Sequence, residues 1–294
     1  MRIVVTGAGG LLGGRLASIL SSRHHVTGII RTQPAPAGID ALAMDLLDRD
    51  AVRQGLRRAR PDVVVHCAAL ADPELCEREP AHARRENTEV TREVARACRE
   101  EGARLIALST DLVFDGTSPH SSEETRPHPL MEYGRSKLKA EEEAIVEAPG
   151  CVVLRIALVF GRGHGPRASA SESIAQRLRK GEEVRLFDDE WRSPVDPESV
   201  AQAVEAAAQS AKASGVYHVA GPERLTRFDF GRRVAATLGL DAALLMNASQ
   251  RGHSGAPRPR DVSLGIKRAA DELAYAPRPI DAGIREGRST SEAL

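Results

Sequence analysis

The chain has 294 residues with 41 basic and 41 acidic side chains, so its formal charge at pH 7 is zero. That length suits one large domain or a large domain with a smaller lobe, and the balanced charge offers no field to draw nucleic acid or an acidic membrane. No apolar run reaches the roughly 18 residues that a membrane helix needs, and the first strand opens at Arg2 with no room for a signal peptide, so a cytoplasmic location is expected.

Residues 2–6 read as a strand and run into Gly7-Ala8-Gly9-Gly10-Leu11-Leu12-Gly13, which opens a helix with Leu12, Leu16, Ile19 and Leu20 on one face. Strands follow at 25–30 and 41–44, then a helix capped by Asp48 that carries Ala51, Val52 and Leu56. The runs 62–68 and 103–109 are almost wholly apolar, as strands buried on both faces must be. Between them Val90, Val94 and Ala97 mark a helix, and a further strand is expected over 151–160. Beyond it come a glycine-rich loop at 161–166, a helix from Ser171 to Lys180 stopped by Gly181, and a strand at 183–187. A helix from Pro197, a strand at 215–220 and a helix from Thr226 complete the pattern; the Arg- and Pro-rich tail after 250 promises little core.

The alternation predicts an α/β protein, a Rossmann doubly wound parallel sheet over residues 1–160 with a smaller C-terminal α/β substrate lobe over 161–294. Segments such as 195–220 are expected to return to the first domain. Cys67, Cys76, Cys98 and Cys151 show neither CxxC nor Cys/His ligand spacing, so they read as small packed residues in a reducing compartment. No metal is expected; Glu141, Glu142 and Glu143 read as a solvated helix face.

The glycine loop carries the first chemistry. After a strand and before an amphipathic helix, Gly7, Gly10 and Gly13 allow a tight turn, close approach of a pyrophosphate and close helix packing, with Leu11 and Leu12 at the helix start. The second strand ends in Ile30-Arg31-Thr32, where an NAD site would place a carboxylate for the ribose 2′-hydroxyl. Arg31 instead suits a 2′-phosphate, so NADP(H) is the expected cofactor. Asp45 is a candidate for the adenine amino group, with Leu46, Cys67, Ala68 and Ala69 as further cofactor-lining candidates.

Tyr133 and Lys137 lie four apart on one helix face. The lysine, with a positive nicotinamide, is expected to lower the phenol's pKa so that Tyr133 exchanges a proton with a carbonyl oxygen. Thr110 ends a strand, where ligands meet such sheets, and is placed to hydrogen-bond that oxygen.

These segments resemble the extended short-chain dehydrogenases, and within them the dTDP-4-dehydrorhamnose reductase group. The resemblance runs through Thr6–Gly13, Pro61–Ala69, Ser109–Gly116, Tyr133–Lys137, Val153–Arg155, Arg192–Pro194, Gly215–His218 and Arg258–Asp261. It implies Thr110, Tyr133 and Lys137 as a catalytic triad, Asn87 as a support of the lysine, and Asp111, Leu158, Arg192 and Arg258 beside Thr110 on the substrate side. Two departures stand out. Leu112 and Leu158 replace the group's tyrosine and tryptophan, which removes a stacking face. The expected activity is NADPH-dependent reduction of a keto group, most fittingly on a nucleotide-linked deoxysugar, with a small-molecule substrate and a homodimer as the candidate assembly. Reduction of another carbonyl compound is one alternative. The other is a non-catalytic NADP-binding subunit, because His66–Ala69 and the basic end of the second strand also resemble the regulatory β subunit of methionine adenosyltransferase.

Overall fold

The computed structural model describes residues 1–251 and 254–287. In β1 (Arg2–Thr6), Ile3, Val4 and Val5 have almost no exposed surface, because both faces of the strand are covered. The chain continues through α1 (Leu11–Leu20), β2 (His25–Ile30), β3 (Asp40–Ala43), α2 (Arg49–Ala59) and β4 (Val63–His66). Short helices α3 (Pro73–Arg78) and α4 (Pro80–Ala83) lead through a widened π-helical turn, Arg84–Glu89, into α5 (Val90–Glu101). β5 (Arg104–Thr110), α6 (Glu132–Glu147) and β6 (Val152–Ile156) follow. The remainder comprises α7 (Ala170–Arg179), β7 (Val184–Phe187), β8 (Trp191–Arg192), α8 (Pro197–Gln209), β9 (Gly215–Val219), β10 (Leu225–Thr226), α9 (Arg227–Leu238), β11 (Leu245–Ala248), α10 (Lys267–Leu273) and α11 (Ile280–Glu286).

Seven parallel strands form one sheet in the order β3-β2-β1-β4-β5-β6-β9, so β9 joins from far along the chain. Alternate side chains sort to opposite faces. Ile3, Val5, Leu108 and Leu154 pack towards α1 and α8, whereas Val4, Val64, Leu105 and Val153 pack towards α2, α5 and α6. A third apolar cluster, including Phe160, Leu178, Leu186, Phe230 and Ile284, joins α7, α9 and α11 to the parallel pair β7–β11. β8 and β10 form a separate antiparallel pair. Among the described residues no helix is long and apolar enough to cross a membrane.

Three expectations need correction. The strand over 151–160 is regular only to Ile156: beyond it the chain leaves the sheet and Phe160 N–H donates to the Val195 carbonyl at 3.1 Å. The tail after 250 does carry core, since Val262, Leu264, Leu273, Tyr275 and Ile280 are buried; isolated apolar residues among arginines and prolines hide this in the sequence. Glu141 is not on a solvated face. It is 4% exposed, accepts from Ser109 Oγ at 2.5 Å and from Arg155 Nη2 at 2.7 Å, and so ties α6 to β5 and β6. Arg155 Nη1 lies 3.5 Å from His218 Nε2, which completes the satisfaction of a buried guanidinium.

Removing one partner of such a pair leaves an uncompensated charge in the core. Glu141→Ala is expected to lower stability by about 3–5 kcal/mol, measured by urea unfolding; a loss near zero would show that Arg155 is not held by this carboxylate.

Candidate active site

From β1 the chain works outwards to β2 and β3, then returns to place β4 on the other side of β1. The carboxyl ends of β1 and β4 therefore splay apart, and such a switch point is where open α/β sheets take their ligands. Two adjoining cavities lie there, of about 710 and 360 Å³, and both are lined by Gly7, Gly10, Cys67, Ala69 and Arg167. Gly7 has φ +67°, and a Cβ on Gly13 would stand 2.4 Å from the Gly7 carbonyl oxygen, so loop and helix cross too closely for a side chain. α1 begins with no side-chain cap and no acidic residue in its first turn, leaving its first N–H groups and positive end available beside the cavity lined by Leu11, Leu12 and Gly13. This uncapped, glycine-built cradle fits a pyrophosphate.

The smaller cavity is lined by Arg31, Asp45, Leu46, Ala68 and Glu86. Asp45 Oδ1 accepts from Leu47 N–H at 3.0 Å, and Arg31 Nη1 donates to Glu86 Oε2 at 2.8 Å. The π-helical turn carries Glu86 to this cavity. Arg31 thus lines this cavity but shares its charge with a carboxylate that no sequence signal announced.

The larger cavity collects Thr110, Tyr133 and Lys137. Gly134 explains how α6 comes so near: a Cβ there would lie 2.2 Å from the Leu112 carbonyl oxygen. Thr110 Oγ1 donates to Asp111 Oδ1 at 3.1 Å and accepts from Leu112 N–H at 3.2 Å. Lys137 is buried, with Nζ donating to the Leu108 carbonyl at 2.8 Å. Burial draws its pKa down to about 8, against the opposing charge of Glu141. Tyr133 stands beside Thr110 and Lys137 in a protein-only environment. Burial pushes the phenol above the ordinary tyrosine range and the Asp111 carboxylate adds to this, while Thr110 and Arg167 pull the other way.

Asn87 is fully buried in the π-helical turn. Its Oδ1 accepts from Leu70 N–H at 2.7 Å and its Nδ2 donates to Ser136 Oγ at 2.9 Å, while Thr88 Oγ1 donates to the Ser136 carbonyl at 2.9 Å. It therefore grips α6 one residue before Lys137. The same turn ends a buried chain of hydrogen bonds. Thr91 Oγ1 donates to the Asn87 carbonyl at 2.6 Å and so must accept from His66 Nε2, 3.1 Å away. His66 Nδ1 then accepts from Thr6 Oγ1 at 2.8 Å, and Thr6 in turn accepts from the N–H groups of Cys67 and Ala68. Burial and then the Lys137 charge hold His66 neutral, with its pKa lowered to about 3.

The far wall is charged. Arg192 is 4% exposed in β8; Nη2 donates to Glu190 Oε1 at 2.9 Å, and Nη1 is 3.9 Å from Asp111 Oδ2. Burial raises the Asp111 pKa, with Arg192 opposing. Burial also pushes Glu190 up, but Arg192, Arg227 and Arg258 together hold it below the ordinary range. Arg258 Nη2 donates to Glu74 Oε1 at 3.3 Å, while its buried Nε has no hydrogen-bond partner in the protein. Leu112 and Leu158 both line the cavity. Sequence reasoning missed Arg167, Arg185, Glu190 and Arg227, which stand outside any motif and meet only through the fold. Among the described residues no cluster of acidic, His and Cys side chains suits a metal ion.

A family model described as RmlD substrate binding domain matches residues 1–289. Methionine adenosyltransferase 2 subunit beta of Danio rerio is 32% identical over 276 residues, covering 91% of this chain and 83% of that protein. The probable low-salt glycan biosynthesis reductase Agl14 of Haloferax volcanii is 32% identical over 278 residues, covering 93% of this chain and 92% of that protein. The crystal structure of a hypothetical dTDP-4-dehydrorhamnose reductase from Sulfolobus tokodaii superposes with a TM-score of 0.85 at 29% identity, covering 96% of this chain and 99% of that one.

The buried lysine has a pH signature. Below pH 8 folded and unfolded chains both hold the proton, and folding bears the full cost of burying an ammonium. Above pH 8 the folded state releases it, while the unfolded lysine keeps it to its ordinary value of 10.5. Relative to Lys137→Met, the protein should therefore gain stability by about 1.4 kcal/mol per pH unit across that window. Urea unfolding of both proteins at several pH values checks this; a constant difference would place the lysine in water.

Proposed function

The chain belongs to the RmlD substrate binding domain family, and from that premise we propose that it is an NADPH-dependent reductase of a keto group on a nucleotide-linked deoxysugar. One observation carries the reading: Thr110, Tyr133 and Lys137 line the same cavity as the glycine loop, although they come from β5 and α6. When bound, the cofactor supplies the hydride. Tyr133 gives its proton to the keto oxygen, and Thr110 turns its hydroxyl from Asp111 to that oxygen. Lys137 holds the nicotinamide ribose and favours the phenolate together with the oxidised ring's charge. Asn87 fixes the register of α6 through Leu70 and Ser136.

In this proposal the sheet with α8 and β9 carries the cofactor, and the region around β7, β8 and α9 carries the substrate. Arg192, Arg227 and Arg258 outnumber Glu190 and Asp111 on the far wall, which favours an anionic substrate such as a nucleoside diphosphate sugar. With Leu112 and Leu158 in place of aromatics, the sugar ring is held by apolar contact and hydrogen bonds rather than by stacking at these positions. A second reading, an NADP-binding subunit of methionine adenosyltransferase, draws on the Danio rerio relative. NADPH oxidation over a panel of keto sugars, set against formation of a stable complex with methionine adenosyltransferase, separates the two.

Tyr133→Phe should leave NADPH binding largely intact while cutting turnover about a hundredfold or more. Full turnover by that variant would remove Tyr133 from the mechanism.

NADPH should bind more tightly than NADH, with Arg31→Ala narrowing the gap by about 1–3 kcal/mol. Glu86→Gln should widen it, because the 2′-phosphate no longer competes with a carboxylate for Arg31. Calorimetry of both cofactors against the three proteins checks the pair; equal affinities in the unaltered protein would overturn the assignment.

A further inference from the structure

We propose that Arg167 is a cation clamp that closes over the pyrophosphate of the bound dinucleotide. The proposal rests on the reading of the cleft as a dinucleotide site. An adenosine in the smaller cavity and a nicotinamide in the larger one must be joined across the residues common to both, and of those five only Arg167 is charged. The glycine loop itself contributes no cation, and the partial charge at the start of α1 is about half a unit against two formal charges on a pyrophosphate. Lys137 sits beside Thr110 and Tyr133 in the larger cavity and Arg31 at the adenosine end, so neither serves the seam.

The backbone around Arg167 is held firmly while its side chain is not. His164 N–H donates to the Leu11 carbonyl at 3.0 Å, and His164 Nε2 lies 3.1 Å from the Pro34 carbonyl oxygen. Gly165 passes so close to the phosphate loop that a Cβ would stand 2.7 Å from the Gly9 carbonyl oxygen. On the other side Ser169 caps α7 in a reciprocal pair with Glu172, and its Oγ donates to the Gly161 carbonyl at 2.6 Å. Arg167 itself has a side chain 62% exposed, and its ion pair is a loose one, 3.9 Å to Asp72 Oδ2. Such a pair contributes little. Asp72 is engaged through Oδ1 as the cap of α3, so it offers Arg167 a resting place rather than a bidentate site. A buried diphosphate offers the guanidinium a stronger, charge-assisted partner.

The test uses calorimetry with NADPH and with adenosine 2′-monophosphate, which lacks the pyrophosphate, on the intact chain and on Arg167→Ala and Arg167→Lys. Because Arg167 is exposed and makes no close bond, both variants should keep the thermal midpoint. Arg167→Ala should weaken NADPH about tenfold or more, the scale of a lost charged hydrogen bond, and leave adenosine 2′-monophosphate unchanged; Arg167→Lys should restore part of the loss. Unchanged NADPH affinity in Arg167→Ala overturns the clamp while leaving the cofactor site intact. Equal weakening of both ligands also overturns it, since the effect then lies at the adenosine end. Failure of the unaltered protein to bind NADPH overturns the dinucleotide reading and the clamp with it.

Discussion

His66 joins the two strands between which the sheet changes direction. Its ring accepts from Thr6 at the end of β1 and donates to Thr91 in α5, and Thr91 donates onward to Asn87. Every proton in that chain has one permitted position, because Thr91 has a single hydroxyl proton and spends it on the Asn87 carbonyl. At a switch point neighbouring strand ends diverge, and the peptide groups there need partners from outside the ladder. Here Thr6 accepts from Cys67 and Ala68, so a side chain closes the divergent ends. The glycine loop, the wall formed by Cys67 and Ala68, and the turn that carries Asn87 are consequently held as one body.

The second organising element is α6. Gly134 lets its first turn rest on the Leu112 carbonyl, Asn87 and Thr88 hold Ser136, and Glu141 reaches Ser109 and Arg155 beneath. Tyr133 and Lys137 project from a helix anchored at both ends of the segment that bears them. Preorganisation of this kind keeps both side chains in place without help from a ligand. The energetic cost is visible in the two side chains themselves, since burial disfavours both the ammonium and the phenolate. A positively charged cofactor ring brought to the same cavity would favour the phenolate that the protein alone disfavours.

The far wall shows a different balance. Asp111 Oδ2 and Arg192 Nη1 are buried 3.9 Å apart and neither completes a hydrogen bond. Apolar replacements would pack such a site at lower cost. Arg227 and Arg258 line the same wall, so three cationic side chains stand there with Asp111 and Glu190.

The sequence by itself determined the sheet, the glycine loop and the Thr110, Tyr133 and Lys137 set, because those features are local. Strand apolarity, an N-cap such as Asp48 and a four-residue helical spacing are written within a few neighbouring positions. Asp45, Leu46, Leu158, Arg192 and Arg258 are also legible in the sequence as candidates, and all of them line the two cavities. Only the tertiary structure decided what holds and charges the site. His66 and Asn87 meet through Thr91 after a π-helical widening, Glu141 turns inward to Arg155 from a run that reads as solvated, and Glu86 reaches Arg31 across the cleft. Arg167, Glu190 and Arg227 converge from three separate segments. Charged side chains carry no periodic signal for the company they keep. Their partners are fixed by which strand ends and helix starts the fold brings together, and that is a property of the sheet order rather than of any short stretch of chain.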